Sequence, residues 1–207
     1  MKIIDISMPI HYDMPVYKNK QEKRPKLIVT RDFKNGTGAR ETRLEMGLHT
    51  GTHMDAPLHM IENGQDSSFF KAEDMVVSCK VIDLTDVSDG ITKEDLEKHN
   101  IEKKDFILLK TKNSYFEEFR EDFIYVKKSG AEYLSGKKIK GVGIDSLGIE
   151  RDQPDHITHK ILLGNGIHIL EGLRLKDVEE GEYTLIAAPL NILKVEASPV
   201  RALLLKK

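Results

Sequence analysis

The chain holds one cysteine in 207 residues and no tryptophan. A single thiol cannot close an intramolecular disulfide, so the fold is expected to rest on core packing rather than on cross-links. Cys79 lies in the apolar run "MVVSCKVIDL", where a buried, inert thiol is expected. Charge of one sign is lacking as well. With 32 basic and 34 acidic side chains the net charge is −2, which leaves no electrostatic footprint for nucleic acid or an acidic membrane. Basic clusters such as "KKIK" (137–140) are short and read as solvated surface. No apolar run approaches the roughly 20 residues of a membrane span. "MKIIDISMPI" is broken by Asp5 and Pro9 where an export signal would continue, so a cytoplasmic location is expected. Repeats, low-complexity tracts and linkers rich in Gly, Ser or Pro are also missing. Residues 1–207 are therefore expected to form one domain, with 39% hydrophobic residues to build its core.

What is present is mostly strand. "KIIDIS", "KLIVTRDF", "ARETRLEMGLH", "CKVIDL", "FILLKTK", "KGVGIDS", "GIHILE", "YTLIAAPL" and "RALLLK" are rich in β-branched and aliphatic residues and bounded by polar segments. In "ARETRLEMGLH" the alternation runs through Leu44 and Met46. Helices are fewer. "TKEDLEKHN" opens with Thr92 and Asp95 spaced as a capping box. "SGAEYLS" (129–135) and "THKILLG" (158–164) are short helical candidates, the second stopped by Gly164. Helices interspersed among more numerous strands give an α/β or α+β fold with a mixed sheet.

Three of the eight histidines fall within eleven residues of "GLHTGTHMDAPLHM" (47–60), together with an aspartate. A helix would turn Asp55 and His59 away from His49 and His53, and Gly51 and Pro57 weaken a helix in any case. An extended chain aims all four to one side but leaves His49 roughly 20 Å from Asp55, at about 3.3 Å per residue. A metal ion needs its ligand atoms about 2 Å away. The chain must therefore bend, and Gly51 and Pro57 are suited to bending it. The segment reads as a strand end feeding a folded loop, with Thr50 and Thr52 free to fix the turn or orient a ligand.

Imidazole with carboxylate is donor chemistry for zinc, and also for manganese or iron. Two His and one Asp leave a coordination position open, as catalytic ions require. Such an ion lowers the pKa of bound water to about 7 and polarises a carbonyl. His59 is either a further ligand or the acid/base group. A second cluster lies in "DHITHKILLGNGIHILEGL", with His156, His159, His168 and Glu171. In its strand, Ile167, Ile169 and Glu171 share one face and His168 takes the other. A carboxylate closing a row of isoleucines is costly to bury unless paired or metal-bound, which marks Glu171 over His168.

The stretch "HTGTHMDAPLH" resembles the signature of the cyclase-type metal-dependent hydrolases, the family that includes bacterial kynurenine formamidase and isatin hydrolase. It fits the pattern His-x-Gly-Thr-His-x-Asp-x-Pro-x-His at every fixed position. The likeness extends through "IIDISMPI", "GVGIDS", "HKILLGNGIHILEGL" and "LIAAPLNI…ASPVRALLL". The resemblance implies a swivelling β/β/α domain, usually as a homodimer or larger assembly such as a homotetramer. It implies that His49, His53 and Asp55 hold one divalent ion, and that Asp55 bridges to a second ion completed by His159 and Glu171. It makes His59 the proton shuttle. In kynurenine formamidases a tryptophan in a Pro-x-Trp-Pro-Gly segment contacts the aryl substrate; here "MPVYKNK" places Tyr17 there, without the Pro-Gly.

The expectation is thus a hydrolase of an amide, formamide or cyclic amide or lactone carbonyl. It would use one or two divalent ions, zinc or manganese, and a small-molecule substrate, with no nucleic acid or membrane partner. A cyclase or dehydratase-type reaction at the same site, or a metal- or ligand-binding module without turnover, are the alternatives.

Overall fold

The computed structural model describes residues 2–206. In chain order its strands are β1 (Lys2–Asp5), β2 (Lys26–Arg31), β3 (Glu41–Glu45), β4 (His53–Asp55), β5 (Val76–Asp83), β6 (Gly90–Ile91), β7 (Phe106–Lys110), β8 (Tyr125–Val126), β9 (Gly141–Ile144), β10 (His168–Glu171), β11 (Gly181–Pro189) and β12 (Ala197–Lys206). The helices are α1 (Lys93–Leu96), α2 (Lys128–Lys137) and α3 (Ile157–Gly164). Among the described residues no helix is long and apolar enough to cross a membrane.

Eight strands form one mixed sheet in the order β1-β12-β11-β5-β7-β9-β10-β4. The three residues of β4 pair with β10 on one side and with β12 on the other. That double pairing closes the sheet into a barrel. β5, β7, β9 and β10 run parallel to their neighbours in the series, whereas β11, β12 and β4 pair antiparallel. The α/β expectation, with a mixed sheet and few helices, is met.

β7 shows how sequence becomes barrel. "FILLK" is buried at all five positions because both faces of the strand are covered. Phe106 and Leu108 point to the interior cluster with Met54, Val81, Leu170, Leu185 and Leu204. Ile107 and Leu109 point outward to a second cluster with Leu96, Ala131, Leu134 and Leu162 of the helices. On the adjoining β9, the inward positions are Gly141 and Gly143. A Cβ on Gly141 would fall 2.3 Å from the Phe106 ring, and one on Gly143 would fall 2.6 Å from Leu108. The glycines of "GVGI" leave the space that Phe106 and Leu108 fill.

Several boundaries differ from the sequence expectation. α1 keeps its capping box between Thr92 and Asp95 but ends at Leu96, after one turn. β12 begins at Ala197 and runs through Pro199, a residue that lacks an N–H. Pro199 sits opposite His53 on short β4, and its carbonyl accepts from Leu190 N at 3.1 Å. β2 and β3 form a separate hairpin joined across the strands by Lys26–Glu45 and Arg31–Glu41 ion pairs. The alternation through Leu44 does not mark a buried face. Leu27, Val29, Phe33 and Leu44 are all exposed. Cys79 is buried, and burial pushes its thiol up to about 12, so it is inert as expected.

Candidate metal centre

The signature segment bends where its glycine and proline allow. β3 ends at Glu45, and His49 lies in the turn that follows. Gly51 takes φ +71°, a conformation that a side chain disfavours. Gly172, just past β10, also has φ +71°, and a Cβ there would fall 2.3 Å from the Gly51 carbonyl oxygen. The two backbones therefore cross at their glycines. Thr52 locks the crossing: its hydroxyl donates to the Gly172 carbonyl at 2.7 Å and accepts from Met8 N at 2.8 Å. After this turn the chain extends for three residues, so His53 and Asp55 emerge from one face of β4 while Met54 enters the barrel interior. Pro57 then starts the short 3₁₀ turn Pro57–His59, which carries His59 back toward the site.

The downstream cluster arrives from two elements. Glu171 lies directly opposite His53 in the β4–β10 register, with Ile169 opposite Asp55. Glu171 and Ile169 share a face and His168 takes the other, as the alternation implies. His159 sits on the buried side of α3. The two distant stretches meet on the outer face of the barrel, under α3.

Asp55 is the centre of the arrangement. It is 0% exposed, and neither carboxylate oxygen has a hydrogen-bond partner. Three imidazole nitrogens stand around it. His49 Nδ1 is 3.0 Å and His53 Nε2 3.4 Å from Oδ1, and His159 Nε2 is 3.8 Å from Oδ2. Glu171 adds Oε2 at 3.3 Å from His53 Nε2 and Oε1 at 3.4 Å from His159 Nε2. Donors bound tetrahedrally about 2 Å from one ion stand roughly 3.3 Å apart, close to these separations. Among the described residues, ligand atoms of His49, Asp55 and His59 fall within 4.8 Å of one another, as do those of His53, Asp55 and Glu171.

Hydrogen bonds select which nitrogen faces inward. His53 Nδ1 lies 3.0 Å from the Gly51 carbonyl, so it carries a proton there and Nε2 is the nitrogen turned toward the carboxylates. His159 Nδ1 donates to Glu150 Oε2 at 2.8 Å, which again leaves Nε2 inward. Glu150 accepts the α3 backbone N–H groups of Thr158 and His159 as well. It is an orienting group of the kind that accompanies histidine ligands.

The electrostatics demand positive charge. Burial lowers the pKa of His53, but the facing Asp55 and Glu171 carboxylates outweigh it and hold the group at about 10. His159 is held at about 10 by Glu150 and Glu171, again against burial. Burial raises the Asp55 carboxyl, yet His49 and His53 bring it well below the usual carboxylate range. Glu171, opposed by burial and by Asp55, falls to about 2 through His159 and His53. Two buried acids drawing protons onto neighbouring imidazoles are the donor set a divalent cation would satisfy. His59 differs. Burial, reinforced by His49 and His159, pulls it down to about 4 despite Asp55 and Glu171, so at neutral pH it is an uncharged base.

Tyr17 is half-buried, and burial, with the carboxylates of Asp152, Glu171 and Glu150, raises its phenol. Phe119 and Phe123 meet its ring edge-on, with centroids 5.1 Å and 6.4 Å away. Of the other downstream histidines, His156 brings a ring nitrogen within 4.8 Å of ligand atoms of Glu150 and His159, whereas His168 lies apart. His156 is exposed, its ring 6.5 Å from that of His159. His168 contacts Asp74 and stacks with Phe69. Sequence reasoning missed Glu150, Phe119 and Phe123, because no spacing separates them from other acids and aromatics.

A closed mixed barrel thus carries a His/Asp/Glu cluster on its outer face whose donor set suits a divalent cation. Residues 4–151 match the model of the "Putative cyclase" family, and the chain belongs to that family. It is 32% identical over 205 residues to a kynurenine formamidase of Erythrobacter litoralis, covering 98% of this chain and 93% of that protein. A solved structure described as a potential metal-dependent hydrolase with cyclase activity superposes with TM-score 0.92 at 49% identity, covering 98% of this chain and 96% of the other. Isatin hydrolase A from Labrenzia aggregata superposes with TM-score 0.83 at 25% identity, covering 100% and 94%.

Proposed function

We propose that this chain is a divalent-metal-dependent hydrolase of an amide, formamide or cyclic amide or lactone carbonyl. The observation that carries the proposal is Asp55, a fully buried carboxylate without a hydrogen bond, ringed by three imidazole nitrogens. In this reading His49, His53 and Asp55 would hold one ion, and Asp55, His159 and Glu171 would hold a second. Histidine-rich ligation favours zinc, and the two carboxylates also suit manganese. When bound, such ions activate water and polarise the substrate carbonyl.

The chain's own residues do the rest. His59, neutral and beside His49 with ring centroids 4.0 Å apart, takes the proton of the attacking water and passes one to the leaving nitrogen or oxygen. Ile149 N donates to Glu171 Oε1 at 2.6 Å and fixes that carboxylate. Tyr17, held by Phe119 and Phe123, forms an aromatic wall for the substrate. Similarity to a kynurenine formamidase and to isatin hydrolase supports aryl amides as the first substrates to test.

The test is metal analysis of the purified protein, then hydrolysis of N-formyl aryl amines, cyclic amides and lactones with and without chelator. Turnover abolished by chelator and restored by zinc or manganese is expected. Turnover that survives complete metal removal overturns the proposal. We extend it to assembly as a homodimer or homotetramer, supported by the exposed apolar residues of the β2–β3 hairpin. Light scattering reads this directly, and a monomer at micromolar concentration would refute it.

A further inference from the structure

His49 differs from the other two histidines of the centre in what holds it. His53 is fixed by a carbonyl at 3.0 Å and His159 by Glu150 at 2.8 Å. His49 presents Nδ1 to Asp55 at 3.0 Å, so its Nε2 faces away from the carboxylates. With Nδ1 bare for an ion, a neutral imidazole carries its proton on Nε2. That Nε2 is buried and has no hydrogen-bond partner. The nearby carboxylate is Glu196, whose Oε1 lies 3.7 Å away.

Glu196 is well placed to close that gap. Its backbone is fixed, because its carbonyl accepts from Ala56 N at 2.8 Å, and the next residue, Ala197, lies opposite Asp55 in the β4–β12 register. Its side chain is 42% exposed and makes no hydrogen bond among the described residues, so it is free to move by a torsion. Glu150, by contrast, is buried and already committed to α3 and His159.

We propose that Glu196 is the positioning residue for His49: it accepts the Nε2 proton, fixes the tautomer that leaves Nδ1 for the ion, and so sets the affinity of that ion. The inference rests on the metal-centre reading above. It also gives the two ions unequal anchorage, one through buried Glu150 and the other through half-exposed Glu196 on the segment leading into β12.

The experiment compares zinc binding by the full-length chain, measured by competition with a chromophoric chelator, in wild type, Glu196→Ala, Glu196→Gln and Glu62→Gln. Glu62 is an exposed acid outside the centre and reports general loss of charge. Glu196→Ala is expected to weaken binding of one ion about 10- to 100-fold. Glu196→Gln keeps an acceptor oxygen and is expected to recover most of that loss, while Glu62→Gln matches wild type. Nitrogen NMR of the zinc-loaded histidines adds a readout that a bulk structural role would not move. The His49 Nε2–H signal is expected to shift in Glu196→Ala, while those of His53 and His159 stay where they are in wild type. Unchanged zinc affinity in Glu196→Ala, or equal losses in the Ala and Gln variants, overturns the inference while leaving the metal centre standing. A wild type that binds neither zinc nor manganese removes the metal reading itself, and this inference with it.

Discussion

Two residues of the signature that flank no carboxylate oxygen in the same way, His59 and Thr52, separate chemistry from support. His59 lies within 4.8 Å of the His49 and Asp55 donor atoms but forms no ion pair, and its low pKa keeps it neutral. His59→Asn is therefore expected to retain bound metal while hydrolysis falls about 10²- to 10⁴-fold. Elemental analysis beside steady-state kinetics checks this, and loss of metal would make His59 a ligand instead. Thr52 holds the Gly51–Gly172 crossing through two buried hydrogen bonds. Thr52→Val keeps the shape but strands the Met8 N–H and the Gly172 carbonyl. A loss of about 3 kcal/mol is expected in urea unfolding. The histidines and Asp55 were legible in the sequence because rare, chemistry-bearing residues bunch there. Glu150 and Glu196 were not, since 34 acidic residues are spread along the chain and neither stands at a telling spacing.

At the scale of elements, legibility follows how locally each one is specified. β7 and α3 were readable because a continuous apolar run and a Gly stop are local signals. β4 was not, because three residues become a strand only when β10 and β12 arrive on either side. β6 and β8 exist only as a two-residue pairing with each other. The junction after β9 shows another non-local device. Asp145 accepts from Thr111 N and Oγ1, from Ser114 N and Oγ, and from Asn113 Nδ2. Burial pushes its carboxyl up to about 6 against the opposing pull of Ser114 and Thr111. The unfolded carboxyl titrates near its ordinary value of 3.8, so between about pH 4 and 6 the folded state keeps a proton that the unfolded state has released. Stability from this group is full below that window and is lost as pH rises through it. The stability of wild type minus that of Asp145→Asn is therefore expected to fall from pH 4 to pH 6, measured by thermal unfolding with chelator in both samples. A difference that stays flat would show that Asp145 titrates like an unfolded carboxyl.

Closure of the barrel and assembly of the candidate metal centre are one event in the whole molecule. β4 supplies His53 and Asp55 and also joins β10 to β12, so ordering the ligands and shutting the ring require the same pairings. Chain segments more than a hundred residues apart must meet for either to happen, which is why the local sequence names the donors without showing their geometry. A cation that binds only the closed form stabilises it by mass action, by about 2.7 kcal/mol at a free concentration one hundred times Kd. For a chain of this size each kcal/mol moves Tm by roughly 2–4 °C. Chelation is therefore expected to lower Tm by about 5–10 °C, with recovery on adding zinc or manganese. Asp55→Asn separates the ion from the fold. It removes the shared carboxylate and the cost of burying its charge, so its Tm is expected to match or exceed that of chelated wild type and to respond little to added metal. Were wild type to melt at the same temperature with and without chelator, the centre would contribute nothing to closure, and the carboxylates at Asp55 and Glu171 would have to be neutralised by the imidazolium protons alone.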